Sequence, residues 1–274
     1  MDLEVSDVMP PEVWTAWGLK PHDNALKLPG GGEQSIRVGP IVYKPVEDIE
    51  EAEWCQECLS RLVPNQFRIA VPIRSPKGHW VDAGWIASRW IEGVAGPEGH
   101  WVQVLEVSAQ FHRALSKVAR PPFLLQRTHR WALADRAAWG EASMQWVPST
   151  LPRALMLKNL LRPVNLPVQV IHGDLSGNVL FAAGLTPAVI DFSPYWRPAA
   201  FADAMILMDG MLWFAWDDIL PLIPRTMTFL QLLLRACLCR LGALNERART
   251  VDPACVTELP TFDRTIAWLE ANLR

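Results

Sequence analysis

Residues 170–198 read VIHGDLSGNVLFAAGLTPAVIDFSPYWRP. In this stretch two short apolar strands each run into an aspartate. The first gives Ile171-His172-Gly173-Asp174, with Asn178 four residues on, and the second gives Val189-Ile190-Asp191-Phe192. At strand ends joined by a tight hairpin, Asp174, Asn178 and Asp191 would converge on one point. Two carboxylates and an amide are hard oxygen donors, suited to a Mg²⁺ ion that carries a nucleotide phosphate. Phosphoryl transfer is the chemistry such a set implies. His-Gly-Asp alone would serve equally as a turn after a buried strand. The ordered set of His-Gly-Asp, asparagine and Ile-Asp-Phe at hairpin spacing is what points to chemistry.

Those strand ends need a sheet before them and helices around them. Pro10-Pro11-Glu12-Val13-Trp14 opens a short helix that ends near Gly18. Residues 25–29 read as a strand, followed by Gly30-Gly31-Gly32. Residues 35–38 and 41–44 read as two more strands about Gly39-Pro40. An acidic start, with Trp54, Cys58 and Leu62 at helical spacing, makes 48–62 a helix. Residues 67–73 and 80–90 read as strands on either side of a Ser75-Pro76-Lys77-Gly78 turn. A glycine-rich link at 92–99 follows. Residues 101–118, 151–161, 201–216, 220–244 and 263–273 then read as helices, 220–244 with breaks. The outline is an α+β chain, with a small β-rich lobe at 1–91 and a larger α-helical lobe at 92–274.

In order, the parts are a glycine turn between strands, a strand lysine, an acidic helix, a hinge, the HGD segment with its asparagine, and a strand-end aspartate. This order resembles the protein-kinase-like bilobal fold, and most closely its aminoglycoside phosphotransferase and small-molecule kinase branch, over residues 25–203. The chain is also similar to an actinobacterial family of this type whose motif reads likewise through IDFSPYWRP, a resemblance that implies no particular acceptor. The branch resemblance implies ATP-dependent transfer of the γ-phosphate to a hydroxyl of a small molecule. Asp174 would orient that hydroxyl and take its proton late. Asn178 and Asp191 would hold Mg²⁺. His172 would fix the loop, and Asp203 would brace it or serve only as a helix-start charge. Lys44 would contact the phosphates, partnered by Glu57 or, one turn earlier, Glu53. Gly31, Gly32 and Ser35 would offer backbone N–H groups over the phosphates, although an ordinary β-turn reads the same way. Main-chain groups of Arg89, Trp90 and Ile91 would meet adenine. The branch places its asparagine five residues after the aspartate; here the spacing is four, and Gly177 would restore the reach. A nucleotide-binding regulatory module without turnover, and AMP transfer by the same fold, are the alternatives.

Composition narrows the field further. Of 274 residues, 50% are hydrophobic and 20% charged, so a packed core is expected. A net charge of −3 gives no basic footprint for nucleic acid. The start carries Asp2, Glu4 and Asp7 and no leader pattern. The richest apolar runs are broken by Asp209, Arg235 and Arg240, so no membrane span is expected. With five cysteines in no disulfide-like spacing, a cytoplasmic protein is expected. Cys55 and Cys58 read as packed helix cysteines in preference to a zinc pair. Tyr195 and Trp196 border the expected acceptor region, either stacking on a substrate or packing. Asp209, Asp217, Asp218 and Glu258 are the acids that would meet a polycationic acceptor.

Overall fold

Side-chain alternation organises the N-terminal region as sheet. In the computed structural model, which describes residues 3–29 and 34–273, six strands lie in the order Leu3–Glu4, Asn24–Lys27, Ile36–Val38, Ile41–Pro45, Trp85–Arg89 and Pro72–Ile73. The antiparallel register sets Ile36 opposite Tyr43 and Tyr43 opposite Ala87. These residues share one face with Ala25 and bury against Val5, Val13 and Trp17 from the short helices Val5–Val8 and Pro11–Ala16. Lys44 is one residue further along and opposite Ile86, so it points to the other face. The Ile49–Arg61 helix begins where Asp48 accepts the Glu51 N–H at 3.0 Å.

Two expected strands come out shorter. Residues 67–73 split into Arg68–Ile69 and Pro72–Ile73, which join different sheets. Only Trp85–Arg89 remains of 80–90, because Ala83 and Gly84 turn the chain at φ +50° and +75°. The second sheet has the order Arg68–Ile69, Ala188–Val189, Val179–Phe181, Val94–Ala95. Gly93 is required beside it, since a Cβ there would stand 2.7 Å from that of Leu180.

Contacts divide the chain into two units. One takes Met1–Ala95 and Leu180–Phe192; the other takes Gly96–Val179 and Ser193–Arg274. The strand leading into Asp191 therefore pairs with N-terminal residues, Ala188 lying opposite Arg68. The strand leading into Asp174, Gln169–His172, pairs instead with Pro194–Arg197. The two aspartate-bearing strands therefore do not pair with each other; the strand after Asn178, Val179–Phe181, is the one that lies beside Ala188–Val189 ahead of Asp191.

The second unit is helical: Trp101–Leu115, Arg130–Ala138, Leu151–Leu160, Ala199–Trp213, Trp216–Ile219, Met227–Thr250 and Leu259–Leu273. Its core is built on the 24-residue helix Met227–Thr250, which packs against Arg130–Ala138 and Ala199–Trp213. Close approach is possible because Gly242 lacks a side chain; a Cβ there would lie 3.0 Å from that of Ala134. The helix starts later than residue 220, after a 3₁₀ turn at Leu220–Leu222, where Thr226 caps the Phe229 N–H at 3.3 Å. By length and composition it would cross a membrane, contrary to the reading of its broken apolar run. It is nearly all buried inside its own unit, as a core helix is.

Candidate active site

In the second unit the site grows from one glycine. Tyr195 lies opposite Ile171 in the strand pair, and a Cβ on Gly173 would overlap the Tyr195 ring. Gly173 is thus fixed by packing, and it delivers Asp174 at the strand end. The Asp174 N–H donates to Nδ1 of the fully buried His172 at 3.2 Å. Its side chain stays 54% exposed, yet both oxygens are held. Oδ1 accepts from Arg240 Nη2 at 3.2 Å, and Oδ2 from Asn178 Nδ2 at 3.3 Å. The same Asn178 nitrogen donates to the Asp174 carbonyl at 2.6 Å. The four-residue spacing closes as an ordinary turn, with the Asn178 N–H on the Leu175 carbonyl at 3.0 Å and no left-handed backbone at Gly177.

Two supports stand behind this loop. Arg240, within the apolar helix, grips Asp209 through Nε at 2.7 Å and Nη2 at 2.6 Å. Ser176 Oγ donates to the same Asp209 carboxylate at 2.7 Å. A bidentate guanidinium–carboxylate pair is what permits both charges to be buried. The second support is a relay. Asp203 accepts the Ser108 hydroxyl at 2.6 Å, and Ser108 Oγ lies 3.1 Å from His112 Nδ1. His112 Nε2 accepts the His172 N–H at 3.0 Å. Ser108 has spent its hydrogen on Asp203, so it accepts from His112, which is therefore the neutral Nδ1–H tautomer. Burial, and then the neighbouring His172, push the His112 pKa down to about 3. Burial pushes the Asp203 carboxyl up, opposed by the Ser108 hydroxyl.

Residues near this loop bear on two other sequence expectations. Tyr195 packs on Gly173 and lies 5.5 Å beneath the Arg127 guanidinium. Of the four acids proposed for a polycation, Asp209 is internal, and Glu258 is taken by Trp213 Nε1 at 3.2 Å and Arg247 at 3.4 Å. These two acids are committed within the unit.

In the first unit Lys44 Nζ donates to Asp191 Oδ1. Asp191 takes φ +53°, a left-handed turn that aspartate tolerates better than most residues and that ends the strand. Lys44 does not pair with Glu57. That carboxylate accepts from Arg74 at 3.0 Å and from Trp80 Nε1 at 2.7 Å, and forms an ion pair with Arg61. The Trp80 N–H leads in holding it below the ordinary carboxylate range. The Ile49–Arg61 helix instead meets the Asp191 segment through Trp54, its ring 6.2 Å from Phe192. Cys55 Sγ lies 3.9 Å from the Phe192 carbonyl. Burial pushes the Cys58 thiol up to about 11, which leaves it a poor zinc ligand. At the expected hinge, the Arg89 N–H goes to the Val71 carbonyl and the Trp90 N–H to that of Pro40, each at 2.8 Å. The Ile91 N–H makes no backbone hydrogen bond among the described residues. Ser35 precedes the Ile36–Val38 strand, its carbonyl accepting the Leu28 N–H at 2.9 Å. Gly31 and Gly32 lie outside the described residues.

Sequence reasoning missed Arg240, Ser108 and His112 as parts of the site. Arg240 had a signal: an arginine inside an apolar helix must find a buried anion. By donor type, the carboxylate of Asp191 and the amide oxygen of Asn178 fit Mg²⁺, which needs only one or two protein carboxylates beside phosphate oxygens. Among the described residues no group of three His, Cys, Asp or Glu side chains forms a metal cluster.

No protein-family model matches the sequence, and no curated protein sequence matches it. Solved structures do match the fold. Spectinomycin phosphotransferase APH(9)-Ia, in complex with ADP and spectinomycin, matches with a TM-score of 0.53 at 15% identity, over 95% of this chain and 96% of that one. The apo form of a thermostable mutant of aminoglycoside phosphotransferase APH(4)-Ia gives 0.56 at 16% identity, over 94% and 99%. A choline/ethanolamine kinase family protein from Mesorhizobium loti gives 0.55 at 15% identity, over 91% and 88%. The chain has the protein-kinase-like fold of these small-molecule kinases, β-rich in its N-terminal part and helical in its C-terminal part.

Proposed function

We propose that this protein, built on the fold of small-molecule kinases, is a cytoplasmic ATP-dependent phosphotransferase acting on a hydroxyl of a small-molecule acceptor. The setting of Asp174 carries the reading: a half-exposed carboxylate whose backbone N–H and Oδ1 are held by the buried His172 and Arg240, and whose Oδ2 is held by the half-buried Asn178. Such a carboxylate is oriented before substrate arrives, which is the main contribution a protein makes to phosphoryl transfer. The acceptor oxygen forms a bond to the γ-phosphorus, and the bond from that phosphorus to the β–γ bridging oxygen breaks. ADP leaves with the electron pair, and the acceptor proton passes to an Asp174 oxygen. Lys44 neutralises phosphate charge, and its contact with Asp191 gives way as phosphate arrives. Asn178 and Asp191 would hold Mg²⁺, which when bound screens the phosphate oxygens. The Ile91 N–H is the hinge group open to adenine. Five free cysteines suit the reducing cytoplasm.

The test is ATP turnover with an acceptor panel, run beside calorimetry with Mg-ATP. Asp174→Ala should lower turnover about 10²- to 10⁴-fold with nucleotide affinity kept. Nucleotide binding without turnover under any acceptor would leave only the regulatory-module reading. Product mass separates phosphate from AMP transfer.

A further inference from the structure

The Arg240 guanidinium that reaches Asp174 also touches two tryptophans. The Trp131 ring, from the Arg130–Ala138 helix, lies 5.5 Å from Arg240 Cζ. The ring of Trp213, which ends the Ala199–Trp213 helix, lies 6.0 Å from it. The Arg240 side chain is 6% exposed, whereas Trp131 and Trp213 stay 37% and 42% exposed. Two indoles open to solvent and the proposed catalytic carboxylate are therefore gathered on one buried cation. A core that needed these rings only as filling would enclose them, as it encloses Phe111 and Phe262.

Charge narrows what the rings would receive. Asp209 is spent on Arg240 and Ser176, and Glu258 on Arg247 and the Trp213 N–H. The rings already carry positive charge, with the Arg130 and Arg240 guanidiniums 4.9 and 5.5 Å from the Trp131 centroid, so a polycation would meet like charge there. What remains beside Asp174 is the exposed indole surface of Trp131 and Trp213 and one carboxylate, which suits a ring with a hydroxyl on its edge.

We propose that Trp131 and Trp213 form the acceptor platform, on which a neutral ring compound bearing a hydroxyl stacks with that hydroxyl at Asp174. The word acceptor rests on the phosphotransferase reading; the binding does not. The whole chain is labelled with 5-fluorotryptophan, and Trp131→Phe and Trp213→Phe, which keep a ring against Arg240, assign two ¹⁹F signals. Phenyl β-D-glucoside serves as the neutral ring probe and spermine as the polycation, each added to about 20 mM, enough to fill a site with Kd of about 1 mM. Both assigned signals should move with the glucoside and stay in place with spermine. Trp213→Ala should weaken glucoside binding about fivefold. Signals that ignore the glucoside, or that follow spermine instead, overturn the proposal. Mg-ATP calorimetry on the same samples tells the two readings apart: glucoside binding without nucleotide binding removes the phosphotransferase and leaves the ring site.

Discussion

Acid should loosen this protein through His112. The side chain is 2% exposed, donates from Nδ1 to Ser108 and receives the His172 N–H on Nε2. A second proton on Nε2 would face that N–H donor and charge a buried ring. The folded pKa, pushed down to about 3, lies below the ordinary 6.5. Between these values the unfolded chain binds the extra proton and the folded chain does not. The stabilisation is complete above 6.5 and is lost as pH falls through the window. At 1.36 kcal/mol per unit, the loss is about 2 kcal/mol by pH 5 and about 4–5 kcal/mol by pH 3. Urea denaturation of wild type and His112→Gln at pH 7.5 and pH 5.0 isolates the effect, because every other group titrates in both proteins. Wild type should lose about 2 kcal/mol more than the variant over that interval. Equal losses would show that His112 takes up its proton as readily folded as unfolded, and the relay argument would fall.

Three further outcomes are expected. Gly173→Ala should cost about 1–3 kcal/mol in urea denaturation and lower turnover, because the new methyl displaces the Tyr195 ring and with it the Asp174 strand end. Glu57→Gln should leave Mg-ATP affinity within about twofold of wild type by calorimetry, while Lys44→Met lowers it about tenfold or more, since Glu57 serves Arg74 and Trp80 and not Lys44. Asp135→Ala removes one of the two carboxylates on Arg197, whose side chain is 9% exposed and which keeps Glu141 at 2.6 and 2.8 Å, and should cost about 1–3 kcal/mol by the same urea assay.

The N-terminal meander was legible because alternation in residues 24–45 is a local signal, and one face of it is buried. Helices such as Ile49–Arg61 were legible for the same reason at a different period. Pairing was less so. Ala188–Val189 is two residues long and has Val179–Phe181 close by in sequence, but its other partner, Arg68–Ile69, is over a hundred residues away, so nothing local selects that pairing. Pro194–Arg197 was read only as an acceptor border, since its strand character depends on Gln169–His172 beside it. Glu57 has a helical position suited to a strand lysine, but Trp80 and Arg74 arrive from a turn whose course sequence spacing does not fix. The same holds for Trp131 and Trp213, which share a neighbour only because Arg240 comes from a third helix.

The chain crosses between its two units at 95–96, at 179–180 and at 192–193, and this sets a timetable for synthesis. When Ala95 leaves the ribosome, Arg68–Ile69 and Val94–Ala95 already exist, but the strands that lie between them do not. Those strands are made about 85–95 residues later, a wait of roughly 4–19 s at ordinary elongation rates. Throughout it the nascent chain carries two open strand edges of the kind that seek foreign partners. A stalled or truncated product ending before residue 180 would keep those edges permanently, which makes it a natural client for chaperones and proteases.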